Sequence, residues 1–172
     1  MKEVLGATWG RWMRIEFSGF DTCSNPPKNA TLAVELRGAE VGGAGDIPYQ
    51  DKHTSGHRGF QGSQTPTWGV LWLKGASDYR ARNVITHEFG HGLAFEHEQS
   101  RPDAAGFCPD GDLTLDGTVV TVEYDDIGIM NYCSPGAYLS RLDIKGAQTL
   151  YGVSAPGQWL NALPAISGLP ML

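Results

Sequence analysis

The sequence predicts an α/β domain, α+β in organisation: a small twisted mixed sheet, one long helix packed behind it, and a second helix closing the chain. Three observations predict it. Apolar and polar residues alternate over 12–17 and 31–37, the two-residue period of half-buried strands, and 68–74 reads as a third strand. From Ser77 the spacing of apolar residues lengthens to that of a helix. A second stretch with helix start and stop signals occupies 140–152.

In chain order, "WMRIEF" (12–17) is the first strand and "TLAVELR" (31–37) the second, with "SNPPKN" (24–29) as the turn between them. Residues 42–66 are rich in Gly, with scattered His, Asp and Pro, and are expected as a long surface excursion. "WGVLWLK" (68–74) is the third strand. Ser77 or Asp78 can then cap a helix running to about Gly92. Tyr79, Arg82, Asn83, Thr86 and Gly90 lie on one side of it, and Val84, Ile85 and Phe89 on the other. Residues 99–128 are turn-rich and acidic, with strand-like "TVVTVEY" at 118–124. In "SRLDIKGAQTLYG" Ser140 is the N-cap, Asp143 lies in the first turn, Leu142, Ala147 and Leu150 share a face, and Gly152 ends the helix. The Pro/Gly-punctuated remainder, 153–172, is expected as a tail or linker. Residues 1–152 then form one domain, its upper portion spanning 1–97 and its lower portion 98–152.

A chain of 172 residues is long enough for one sizeable core. Its 41% hydrophobic and 19% charged residues argue against global disorder. A net charge of −6 argues against a nucleic-acid partner, and no apolar run is long enough to span a membrane. The opening "MKEVLGATWGRW" lacks the apolar core of a secretory signal, which leaves a cytosolic protein or a mature domain without its signal and pro-segment. Three cysteines cannot all pair within one chain. Cys108 and Cys133 flank a Gly/Asp-rich stretch and are the expected disulfide, with Cys23 free or paired elsewhere.

The chemistry is concentrated in "ITHEFGHGLAFEHEQSRPD", residues 85–103, which holds His87, His91 and His97. Four residues apart on a helix, His87 and His91 share a face and can hold one metal ion. Glu88 is turned about 100° from His87, beside a metal rather than toward it, where a general base is needed. The competing reading is an exposed polar helix face. Against it, Val84, Ile85, Phe89 and Leu93 make the surrounding helix apolar, and buried His and Glu need partners. His97 follows His91 by six residues, which on a continuing helix would aim it about 120° away. For His97 to join the others the chain must turn, and Gly92 is the natural place for the helix to stop.

"HEFGHGLAFEH" resembles the H-E-x-x-H-x-x-G-x-x-H zinc motif of the metzincin metallopeptidases. Through "EHEQSRPD" it is most similar to the astacin family. The resemblance implies His87, His91 and His97 as zinc ligands, Glu88 as catalytic base, and a structural role for Glu98 in a network near the N-terminus. One position departs from the pattern: Ala94 stands where the family has glycine, and alanine at a positive φ costs roughly 1 kcal/mol or more. "DDIGIMNYCSPG" resembles the methionine turn, with Met130 as an apolar floor beneath the histidines. Taken on its own Met130 also fits plain core, but its place after His97 in a Gly/Asn/Pro context favours the methionine turn. Tyr132 matches the astacin tyrosine that can approach the metal and stabilise an oxyanion. "LSRLDIKGAQTLYG" resembles the C-terminal helix of matrixin- and serralysin-like domains.

The resemblance therefore implies a metzincin-like catalytic domain: a secreted zinc endopeptidase, monomeric, acting on protein or peptide substrates, with no nucleic-acid or membrane partner. A zinc-holding, non-catalytic protein-binding module is the alternative, although binding alone has no use for Glu88. The resemblance also implies an edge strand, just before the zinc helix, that pairs with extended substrate, and Gly69, Val70, Leu71 and Trp72 hold that place. Asp110, Asp112 and Asp116 in "CPDGDLTLDG" offer carboxylates suited to calcium, with ordinary Asx/Gly turns as the simpler reading. His53 and His57 could suggest a second metal site but sit in what reads as surface loop. The pocket wall is expected in 133–140, which has no Lys or Arg and so leans toward an uncharged substrate side chain.

Overall fold

A computed structural model describes residues 1–20, 32–37, 44–46, 67–73, 76–104, 108, 121, 123–134, 136 and 138–153. The first elements are two short helices, α1 (Lys2–Ala7) and α2 (Trp9–Trp12), broken at Thr8, whose hydroxyl donates back to the Val4 carbonyl at 2.7 Å. Leu5, Trp9 and Met13 recur every four residues, so they fall on one side, and all three are fully buried. The strand expected over 12–17 is therefore corrected. Trp12 ends α2, Met13 makes a single antiparallel bridge to Val153, and the chain beyond it is irregular.

The expected α/β architecture is corrected with it. Of the residues whose side chains are described, 51% are helical and 5% lie in a strand or bridge, so helices rather than a twisted sheet supply most of the core around the long helix. Among the described residues the strands are three short segments, β1 (Leu32–Arg37), β2 (Ala44–Asp46) and β3 (Thr67–Trp72), ordered β1-β3-β2. Among them only Val34 and Leu71 have described side chains. The physical reason lies in the N-terminal residues. Leu5, Trp9 and Met13 deliver large apolar side chains at helical spacing, and these fill the space behind the long helix that a sheet face would have filled.

That long helix, α3 (Asp78–Gly92), starts where its capping signal predicts: the Ser77 hydroxyl accepts from the Arg80 amide at 3.2 Å. From Val84 to Gly92 every residue is buried. Trp9 bolts the N-terminal helices to it by donating its indole N–H to the Thr86 carbonyl at 2.8 Å and stacking on Phe95 at 5.4 Å between centroids.

The closing helix α4 (Arg141–Tyr151) carries a complete capping box between Ser140 and Asp143, and Gly152 ends it at φ 75°. Its buried face is Ile144, Ala147 and Gln148 rather than the predicted Leu142, Ala147 and Leu150, a rotation that brings the Gln148 amide to the Trp12 carbonyl at 3.0 Å. Tyr151 donates to the Leu93 carbonyl at 2.6 Å, so α4 also holds the end of α3. Arg14 donates to the Gly152 carbonyl at 3.1 Å, which joins the start of the described fold to its end. No described helix is long and apolar enough to cross a membrane. Cys23, His53, His57, Asp110, Asp112, Asp116, most of 118–124 and residues 154–172 lie outside the described residues.

Candidate metal centre

The end of α3 answers how His97 reaches the other histidines. Leu93 is the C-cap, the Ala94 amide donates to the His91 carbonyl at 2.9 Å, and the Phe95 amide to the Gly90 carbonyl at 3.0 Å. This pair of bonds is a Schellman motif, which needs a left-handed residue in its first position past the cap. Ala94 occupies it, at φ 66°, the one non-glycine positive φ among the described residues. The reversal turns the chain across the helix end and points His97 back along α3.

The three imidazoles meet there. His97 Nε2 lies 3.3 Å from His87 Nε2 and 3.0 Å from His91 Nε2, and one ring nitrogen from each of the three falls within 4.8 Å of the others. Ligand atoms of a tetrahedral zinc with bonds of about 2.0–2.1 Å stand roughly 3.3–3.4 Å apart, so the spacing suits one small ion. Each helix histidine is oriented from behind. His87 Nδ1 faces the Ile129 carbonyl and His91 Nδ1 the Phe95 carbonyl, both at 2.8 Å. A carbonyl can only accept, so Nδ1 carries the proton in each and Nε2 is left with a free lone pair. Burial lowers all three pKa values, that of His91 to about 3 and that of His97 to about 4. The rings are thus neutral at pH 7, the form that binds metal. The three histidines therefore form a cluster that can hold a metal ion.

Glu88 is buried on the adjoining face of α3. Met130 is buried and set against Gly90, where an added Cβ would collide with its Sδ and come within 3.3 Å of Trp9. Gly90 is small because a methionine from one side and a tryptophan from the other both need the space. Tyr132 lies on the open side, 59% exposed, its ring 4.2 Å from that of His97 and 5.6 Å from that of His87. The expected Cys108–Cys133 disulfide is formed, next to Tyr132 in sequence.

The strand Gly69–Trp72 does not present the free edge expected of it. β1 pairs with it in parallel throughout, and β2 pairs antiparallel with Val70, Leu71 and Trp72. Its Leu71 side chain is in the core. Glu98 does have a network, but among the described residues it is local: its carboxylate accepts from the Asp125 amide at 2.9 Å and lies 3.3 Å from Arg101. Arg101 in turn grips Asp103 through two bonds of 2.8 Å and donates to the Thr121 hydroxyl at 2.8 Å. Burial raises the pKa of Glu98.

Sequence reasoning missed three supporting residues. Asp143, known only as a capping residue, also accepts from the Ile129 amide at 2.8 Å, so the residue that holds His87 is itself held. Burial pushes the Asp143 carboxyl up to about 7. Asn83, one turn before His87, donates to the Gly136 carbonyl and ties α3 to the segment expected as pocket wall. Gln99 is fully buried and accepts from the Tyr132 amide. Asn83 had a readable signal, the four-residue step to His87; the other two depend on long-range packing. Compared with known proteins, the chain matches no protein-family model, no curated protein and no solved structure.

Proposed function

We propose that this chain is a zinc-dependent endopeptidase, similar in its site to the metzincins. The observation that carries the reading is the convergence of three neutral imidazoles on one point, with Glu88 next to His87 on the same buried helix. An all-imidazole set suits zinc, and three protein ligands rather than four is the pattern of a catalytic site. Zinc so bound supplies a Lewis acid and lowers the pKa of a water molecule to about 7.

The protein's own residues do the rest. Glu88 accepts the proton of the attacking water and passes it to the amine that leaves the peptide carbonyl. Tyr132, exposed beside His97, donates a hydrogen bond to the oxyanion at the tetrahedral carbon. Ile129 and Phe95, through their carbonyls, keep the His87 and His91 rings from turning. The substrate is a protein or peptide. The disulfide supports an extracellular setting, since such bonds persist in oxidising compartments.

The test pairs metal analysis with cleavage of casein or a quenched peptide. Glu88→Gln is expected to keep its metal and to lose activity by about 10²–10⁴-fold. Equal activity in both proteins would sink the mechanism. Stoichiometric metal with no cleavage by the unaltered protein would favour a metal-holding binding module instead.

A further inference from the structure

The Met130 turn and the stretch after His97 are tied by two hydrogen bonds that run in opposite directions. The Glu98 amide donates to the Met130 carbonyl at 3.0 Å, and the Tyr132 amide donates to the Gln99 side-chain oxygen at 3.0 Å. The second tie is unusual in being made by a side chain in the core. Gln99 is only 2% exposed, and a buried amide is costly unless it is hydrogen-bonded. A methionine would fill the same volume without that cost, so the oxygen is what distinguishes glutamine here. Above this tie sits the Tyr132 ring, more than half in solvent yet 4.2 Å from the His97 ring. The direction in which that ring leaves the chain is set where the Tyr132 amide is held.

We infer that Gln99 is a positioning residue: by accepting the Tyr132 amide it sets the phenol against His97, coupling the third histidine to the group that meets the oxyanion. The inference rests on the peptidase reading, but its geometry can be tested apart from it. Removing one oxyanion donor costs about 10²-fold or more in kcat, so Tyr132→Phe should do so with KM held within about twofold. Gln99→Met is expected to reproduce that pattern, and the double variant to be no worse than either single one, because both remove the same contribution. In metal-free protein labelled with 3-fluorotyrosine, the ¹⁹F resonance assigned by Tyr132→Phe should move toward that of a solvent-exposed tyrosine in Gln99→Met. In the unaltered protein the Tyr132 amide should be protected from hydrogen exchange. Additive losses in kcat, an unmoved resonance, or free exchange of that amide would each overturn the inference. If the unaltered protein cleaves nothing, the peptidase reading fails while the resonance and the amide still decide the role of Gln99.

Discussion

Ala94 is where local strain and metal geometry meet. An L-residue in the left-handed region costs roughly 1–2 kcal/mol, and glycine avoids this while adding about 0.5–1 kcal/mol of unfolded-state entropy. Ala94→Gly should therefore raise stability by about 0.5–1 kcal/mol, read as a shift of the denaturant midpoint with unchanged slope. No shift would mean that the turn relaxes elsewhere. Gly90 has the opposite character: its small size is required. Gly90→Ala should cost about 1–3 kcal/mol, because the new methyl meets Met130 and Trp9 together, and calorimetry would register it. These sites are unequally legible in the sequence. The six-residue step from His91 to His97 demands a reversal, and the alanine in the glycine position is visible as its cost. That a tryptophan from the chain's start crowds Gly90 depends on a contact across some eighty residues, which no local pattern carries.

Among the elements, α3 and α4 are legible because their ends are written in local chemistry: Ser77, the Ser140–Asp143 box and Gly152 act within one turn of themselves. The N-terminal helices are not. Alternation in "WMRIEF" suggests a strand, and Gly6 and Gly10 weaken the helical signal, yet Leu5, Trp9 and Met13 stand at helical spacing throughout. Which period wins is decided by the partner, here the back of α3. Trp9→Ala should accordingly destabilise the fold by about 3–5 kcal/mol, since it removes a buried indole along with its bond to Thr86 and its stack on Phe95. A loss under about 1 kcal/mol in urea unfolding would show that α1 and α2 are ornamental. The disulfide closes a span of 25 residues, worth about 3 kcal/mol in the loop-entropy account, so the Cys108→Ser/Cys133→Ser pair should lose roughly that much.

For the molecule as a whole, two sets of buried groups oppose one another in pH. His91 and His97 have folded pKa values of about 3 and about 4, below the ordinary 6.5. The unfolded chain binds their protons first, so their contribution is present above pH 6.5 and is lost as pH falls toward 4. Asp143 is raised from 3.8 to about 7; its contribution is present below 3.8 and is lost as pH rises through 7. Over the same window the two trends partly cancel. Metal-free protein should therefore show a shallow stability profile between about pH 4 and 7, whereas Asp143→Asn should lose stability steeply on acidification. Urea midpoints at about pH 5 and 7.5 compare them, and parallel profiles would contradict the assignment.

Gln148 holds the Trp12 carbonyl across 136 residues, and Met13 bridges to Val153. α2 cannot complete its packing until α4 is present. As the chain emerges from the ribosome, α2 must wait for α4, and the ligand helix it supports waits with it. Contacts between such distant residues slow folding by the entropy of closing the long intervening loop. Competence to bind metal should accordingly appear only once α4 has been made, rather than when His97 is made.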